Sequence, residues 1–307
     1  MNSLKITGLI SLSIIDVLIL SFAMFTGLSA IKTQQIFQDN QFIETGRLIQ
    51  AGGYNTYVRE YGDPSNKAIV LIHGFGGSSW DYEEFAILLA RDYYVVSMDQ
   101  LGYGLSEKSL TFDYQRRSQA RIINDVLLVM DIEPFAIAGH SMGGDVILQF
   151  VDEFPDRVEK LILFAAAGLQ EGGGAQGGLP TWVIDLTVRN YWLQRTIFEG
   201  AYAVESFRTA EVFDPMFYQN AQIPSDVFSK FTQVTDGGSM RNRLSTIDID
   251  TLIVWGELDT FVSVDSAYRF DEGIVNSTLV VYPGIGHLPF QEALSESLRD
   301  VRAFLSN

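Results

Sequence analysis

From Gly46 onward, short runs rich in β-branched and aromatic residues alternate with longer stretches whose apolar positions fall at helical spacing. GRLIQ and NTYVREYG, separated by AGG, read as two paired strands joined by a turn. KAIVLIHG and DYYVVSMD are nearly unbroken apolar runs of strand length, the pattern of strands covered on both faces in a parallel sheet. Between them SSWDYEEFAILLARD carries helical spacing. There follow a helix from about Tyr114 to Met130, the strand FAIAG, a helix from about Met142 to Phe150 and the strand VEKLILFAA. This alternation predicts a doubly wound α/β fold, a mostly parallel sheet with helices on both faces. After Leu169 the rhythm breaks at QEGGGAQGG, which reads as a hinge or flexible loop. Residues 170–245 are aromatic and helical in pattern and read as an insertion over the sheet. The strand rhythm resumes with DTLIVWGELD and STLVVYPG, and a last helix is expected from about Phe290 to Leu305.

Residues 1–33 follow a different pattern. From Ile6 to Ile31 the only charge is Asp16, and the run is long enough to span a bilayer. Asp16 costs roughly 2.5–3.5 kcal/mol on insertion scales, which about fourteen Leu, Ile, Val and Phe at roughly 0.3–0.6 kcal/mol each outweigh. Lys5 precedes the run and acidic residues follow Lys32, so the expected topology places the main domain outside the cytoplasm. A cleaved signal peptide is the rival reading. Leu28 occupies a position where cleavage wants a small residue, which favours a retained membrane anchor. A helix buried against the protein itself is the third possibility.

Composition narrows the partners. The chain has 307 residues, 47% hydrophobic and 19% charged, as a folded domain with a sizeable core requires. A net charge of −17 argues against nucleic acid, whose phosphates need clustered Lys and Arg. With no cysteine, disulfides, thiolate metal sites and cysteine nucleophiles are excluded. The three histidines fall on separate loops, so no metal site is expected, and no cofactor is called for.

The chemistry centres on GHSMGG, Gly139 to Gly144. It follows the strand FAIA and opens a helix, the setting of a nucleophile elbow. Gly139 and Gly143 flank Ser141 at two residues' distance, where side chains would clash in so sharp a turn. The turn lifts Ser141 Oγ into a cleft at the carboxyl edge of the sheet. It also puts the Met142 N–H at a helix N-terminus, where it can stabilise an oxyanion. A serine needs a base. His140 adjoins it on the turn, where its ring should point away into packing or a structural hydrogen bond, and His73 sits in LIHGFGG, where it should hold its own loop by hydrogen bonding. His287, in YPGIGHLPF after the last apolar strand, can reach across the sheet edge. The orienting acid comes from LIVWGELDTFVS, which offers Glu257 and Asp259; Asp259 lies further into the loop and is favoured.

The order Ser141, Asp259, His287 matches the chain order of the α/β-hydrolase fold, and from about Gly46 onward the sequence resembles a capped serine hydrolase of that family. The resemblance rests on five motifs in order: HGFGG (73–77), DQLGYGLS (99–106), GHSMGG (139–144), WGELD (255–259) and GIGHLPF (284–290). It implies that the Phe75 N–H is the second oxyanion donor beside Met142. It also implies that 170–245 is a helical cap between two core parts, 34–169 and 246–307. Dehalogenases and epoxide hydrolases share DQLGYGLS but carry aspartate at the elbow, and this chain has Ser141.

The leading expectation is a serine hydrolase of carboxylic esters, apolar or acyl-glycerol-like, working through an acyl-enzyme. The aromatic cap, with Trp182, Tyr191, Trp192, Phe198, Phe213, Phe217 and Tyr218, suits an apolar substrate; most of these rings should pack helices together and a few should face the cleft. With its apolar N-terminus the chain looks most similar to membrane-associated lipases and monoacylglycerol-lipase-like enzymes. A carbon–carbon hydrolase of ring-cleavage diketones shares fold, triad and cap. Peptidases, perhydrolases and hydroxynitrile lyases use similar constellations. A non-catalytic binding protein on the same scaffold would lack a triad member, and none is lacking.

Overall fold

A computed structural model describes residues 2–39, 45–132, 135–169, 180–234 and 239–307, with the side chains of 2–15, 18–20, 39 and 239 excepted. The expected hinge QEGGGAQGG lies outside the described residues. Helix α1 (Asn2–Asp39) comes first, then β1 (Arg47–Ala51), β2 (Tyr54–Tyr61), β3 (Ala68–Ile72), α2 (Glu83–Leu89), β4 (Tyr94–Met98) and α3 (Arg116–Val129). They are followed by β5 (Phe135–His140), α4 (Met142–Glu153) and β6 (Val158–Phe164). Four helices, α5 (Thr181–Val188), α6 (Tyr191–Ala201), α7 (Ala210–Asn220) and α8 (Ser225–Phe231), separate β6 from β7 (Thr251–Gly256). The chain ends with α9 (Asp265–Gly273), β8 (Ser277–Tyr282), α10 (Pro289–Glu292) and α11 (Leu294–Ser306).

The eight strands form one sheet in the order β1-β2-β4-β3-β5-β6-β7-β8. β2 runs antiparallel to β1 and β4, and every other pair is parallel. This is the expected α/β-hydrolase architecture. β4, β5 and β7 are buried along their whole length, as strands covered on both faces must be. One face packs on α3, α4 and α9 through Val126, Val146 and Phe270; the other packs on α2 and α11 through Phe85 and Val301. Each such side chain contributes about 1.5–3 kcal/mol by leaving water.

Two elements differ from the expectation. Helix α9 has no counterpart in the sequence reading, because DSAYRFDEG buries only Ala267 and Phe270, too few apolar positions to establish a helical period. The expected single C-terminal helix is broken at Ala293 (φ −122°, ψ 49°) into α10 and α11. That break leaves α10 as a short turn directly behind the loop that carries His287.

The expected membrane segment, Ile6 to Ile31, falls within α1, and much of it lies where side chains are not described. Among the described residues no helix is long and apolar enough to cross a membrane. The C-terminal half of α1 packs on the inserted helices. Ser29 Oγ accepts from the Tyr191 N–H at 2.8 Å, Lys32 pairs with Asp214 at 3.4 Å, and Phe37 meets Tyr218 at 4.8 Å between ring centroids. Val17, Phe22, Met24, Phe25, Leu28 and Ile31 on the same helix are exposed.

Candidate active site

The functional candidates collect at the carboxyl ends of the parallel strands, where a doubly wound sheet leaves a crevice. Ser141 stands between β5 and α4 with φ 50° and ψ −117°, a conformation that L-residues rarely adopt. Its N–H donates to Phe164 O at 3.0 Å, and its carbonyl accepts from Gly144 and Ala167 at 2.9 and 2.8 Å, so hydrogen bonds on both sides hold the strained turn. The flanking glycines are required by close approach. A Cβ on Gly139 would fall 2.5 Å from Gly143 O, and one on Gly143 would overlap the carbonyl oxygens of Ile72 and His73. Met142 opens α4, so its N–H is among the donors without a carbonyl partner inside the helix.

His287 follows β8. Its Nδ1–H donates to Asp259 Oδ2 at 2.7 Å, which leaves Nε2 as the basic position of the ring. The Asp259 side chain is fully buried, and its Oδ1 accepts from the Phe261 and Val262 N–H groups at 2.8 and 3.0 Å. Those two bonds turn the carboxylate toward the histidine. Glu257 points elsewhere, with Oε2 accepting from the Gly284 N–H at 3.2 Å. Ser141 and His287 line one cavity of about 510 Å³, with Asp259 behind the histidine.

The other two histidines are held in structural bonds. His73 donates from Nδ1 to Gly74 O at 2.7 Å and accepts at Nε2 from the Gln100 N–H at 3.0 Å; burial lowers its pKa and keeps it neutral. It thereby fixes the loop of Phe75, whose half-exposed ring lines the cavity edge-on to Phe228 at 5.7 Å. His140 makes the structural hydrogen bond expected of it, and makes it to the loop of His287. Its Nε2–H donates to the His287 carbonyl at 2.9 Å and the two rings lie 4.6 Å apart. Burial, reinforced by the neighbouring His287, pushes the His140 pKa well below the usual histidine value. Asp99, at the end of β4, accepts from the Ser79 and Leu105 N–H groups at 2.6 and 2.7 Å and stabilises its loop.

Glu292 is a functional candidate that the sequence reading missed. Its Oε2 accepts from Ala203 and Val204 at 2.7 and 2.8 Å, and its Oε1 from Gly286 and Leu288 at 3.0 and 3.5 Å. One carboxylate thus ties both neighbours of His287 to the chain leaving α6. The His287 N–H adds a bond to Ala201 O at 2.8 Å. No periodicity could have revealed this, since Ala203 and Val204 lie about ninety residues before Glu292.

Of the aromatic residues in the insertion, Tyr191, Phe213 and Phe217 are buried in its own packing, Phe198 lines the cavity, and Trp182 and Trp192 lie exposed. Among the described residues no cluster of three His, Asp or Glu could hold a metal ion.

A serine at a strained strand-to-helix turn, with a histidine and an acid on later strand ends of a doubly wound sheet, defines the hydrolase class of this fold. Residues 67–294 match the family described as alpha/beta hydrolase fold, and the chain belongs to that family. It is similar to Lipase 3 of Moraxella sp. (strain TA144), 26% identical over 293 residues and 89% of each chain. It is also similar to the 2-hydroxy-6-oxononadienedioate/2-hydroxy-6-oxononatrienedioate hydrolase of Escherichia coli (strain K12), 28% identical over 248 residues, 72% of this chain and 81% of that one. A membrane phospholipase A shares the fold with a TM-score of 0.74 at 22% identity, over 98% of this chain and 97% of its own.

Proposed function

We propose that the protein hydrolyses carboxylic esters of apolar acyl groups through Ser141, His287 and Asp259. The observation that carries this reading is the joint placement of the strained Ser141 and the Asp259-bound His287 on one largely apolar cavity. Ser141 Oγ attacks the ester carbonyl and His287 Nε2 takes its proton. Asp259 holds the ring in the required tautomer and stabilises the imidazolium. The negative charge on the former carbonyl oxygen is received by the Phe75 and Met142 N–H groups. Collapse releases the alcohol with the proton from His287, and water, activated by the same base, frees the acid.

The lipase relative supports the ester reading. The E. coli relative supports the carbon–carbon alternative, but its substrate is by name a dicarboxylate, and no Lys or Arg among the described residues lines this cavity to pair with such an anion. The apolar run of residues 1–33, with Lys5 near its start and acidic residues soon after Lys32, supports a protein held at a membrane by that segment with its hydrolase part outside the cytoplasm. Residues 170–245 serve as the cap of that hydrolase.

The test is hydrolysis of p-nitrophenyl esters from acetate to palmitate by the full chain in detergent, beside Ser141→Ala. Turnover lost in the variant is expected. Labelling of Ser141 by a fluorophosphonate without turnover of any ester would transfer the assignment to the carbon–carbon hydrolase. Alkaline carbonate extraction, which should leave the chain in the membrane fraction, tests the anchor.

A further inference from the structure

Helix α6 finds partners outside the insertion at both of its ends. The first N–H groups and the last carbonyls of a helix have no partner within it. At the N-terminus of α6 the Asn190 side chain accepts from the Leu193 N–H at 3.0 Å, and the Tyr191 N–H is met by Ser29 Oγ of α1. The seat of α1 is completed around the Tyr191 side chain. Its hydroxyl donates to Asp214 Oδ1 at 2.8 Å, Asp214 Oδ2 pairs with Lys32, and the Lys32 ammonium lies 5.5 Å from the Tyr191 ring centroid. Ser29 and Tyr191 are both buried there.

At the C-terminus, the last two carbonyls of α6 receive the two loops that carry the acid and the base. Thr260 Oγ1, next to Asp259, donates to Gly200 O at 2.9 Å, and the His287 N–H donates to Ala201 O at 2.8 Å. The histidine loop comes so near that a Cβ on Gly286 would fall 2.6 Å from both Ala201 O and Ala203 N. Helix α6 therefore holds the two loops against one another, in addition to the Asp259–His287 bond. Its eleven residues separate the seat of α1 from these loops by about 16 Å, at about 1.5 Å per residue.

We propose that α6 is a strut through which α1 aligns the triad, so that Ser29 and Lys32 are positioning residues for Asp259 and His287 although neither lines the cavity. The proposal rests on the reading of Ser141, His287 and Asp259 as that triad. An unbroken helix has no soft joint, so a shift of its first turn on loss of the Ser29 bond is passed to Gly200 and Ala201. A misplacement of about 1 Å at reacting groups costs up to about a hundredfold in rate. Phe198 of α6 also packs on Phe213, 5.1 Å away between centroids, so losing one bond displaces the helix without freeing it, and a several-fold loss is the expected size.

The test measures how fast a fluorophosphonate labels Ser141 in the full chain in detergent, a reaction that needs the base in place and asks nothing of the ester. Rates are taken only on the fraction that labels to completion, so unfolded chains do not enter. Ser29→Ala and Thr260→Val should each slow labelling about fivefold, and Thr260→Ser, which keeps the hydroxyl, should restore most of the rate. The double variant decides: independent sites so far apart would multiply to about twenty-fivefold, whereas loosening the same strut from both ends should cost no more than about tenfold. Lys32→Met replaces Ser29→Ala if the latter does not fold. Wild-type labelling in the α1 variant, or strictly multiplicative losses, overturns the proposal. Turnover of p-nitrophenyl butyrate is followed in parallel, and kcat should fall in the same ratio with KM within about twofold. Slowed, non-multiplicative labelling with no ester turned over would refute the ester reading and leave the strut standing; ester turnover with labelling untouched by the variants would do the reverse.

Discussion

Replacing Ser141 by glycine should stabilise the protein while replacing it by alanine should not, although both remove the hydroxyl. At φ 50° and ψ −117° the residue occupies backbone space in which a Cβ is strained. Such a residue costs roughly 1–3 kcal/mol, and alanine keeps that cost because it keeps the Cβ. Glycine escapes it but returns about 0.4–1 kcal/mol through the greater freedom of the unfolded chain. The net difference, Ser141→Gly over Ser141→Ala, is therefore about 1 kcal/mol, equivalent to about 2 °C in Tm for a chain of this size. Urea denaturation of both variants, with the slope checked for constancy, measures it directly. If the glycine variant is no more stable than the alanine variant, the turn is not strained, and the account of why it holds the serine in place fails.

Three further outcomes can be checked. Asp81→Asn should raise stability by up to about 1.5 kcal/mol at pH 5 and up to about 4 kcal/mol at pH 8, because a folded pKa raised from 3.8 to about 7 costs more as the unfolded chain ionises; a gain independent of pH would contradict the raised carboxyl. Gly256→Ala should lower stability by about 2 kcal/mol or more and sharply reduce kcat, since its Cβ would overlap Gly286 O and push the acid loop away from the histidine loop; calorimetry with steady-state kinetics reads both. Glu292→Gln keeps the shape but sets an NH2 against two of four N–H donors, so kcat should fall at least about tenfold with a smaller change in KM; equal losses in Tm and no change in kcat would reduce Glu292 to a structural brace.

What the sequence disclosed and what it withheld divide along a physical line. The elbow was legible because GHSMGG follows an apolar strand and opens a helix; of its glycines, Gly139 answers a contact inside the motif, with Gly143 O, whereas Gly143 answers the carbonyls of Ile72 and His73 at the end of β3. Strands such as β4 and β5 were legible because burial on both faces writes itself as an apolar run. The choice between Glu257 and Asp259 was only partly legible. Both stand at the end of β7, and a two-bond turn to Phe261 and Val262 aims one of them. The bonds of Glu292 to Ala203 and Val204, and the His287 carbonyl as the partner of His140, were invisible, since each spans a long sequence separation and ends on a backbone group, which leaves no pattern in residue type.

Several energetically unfavourable features of the chain lie around the same cavity. Ser141 is strained, Asp81 is half-buried with its carboxyl pushed toward neutrality, and His140 buries an Nδ1 lone pair that has no hydrogen-bond partner among the described residues. Ala165, another non-glycine at positive φ, stands two residues before the N–H that bonds the Ser141 carbonyl. A fold selected for stability alone would remove such costs. Tyr114 and Asp131 show the contrast: both have positive φ away from the cavity, and Asp131 merely ends α3 in the left-handed turn that helix termini commonly use. The costs at the cavity have no such local explanation, and what they have in common is that each sets a reactive or hydrogen-bonding group, or the frame that holds one, beside the same enclosed space. Substitutions that relieve them should therefore trade activity for stability, residue by residue, and the sign of that trade distinguishes a working site from an inherited scaffold.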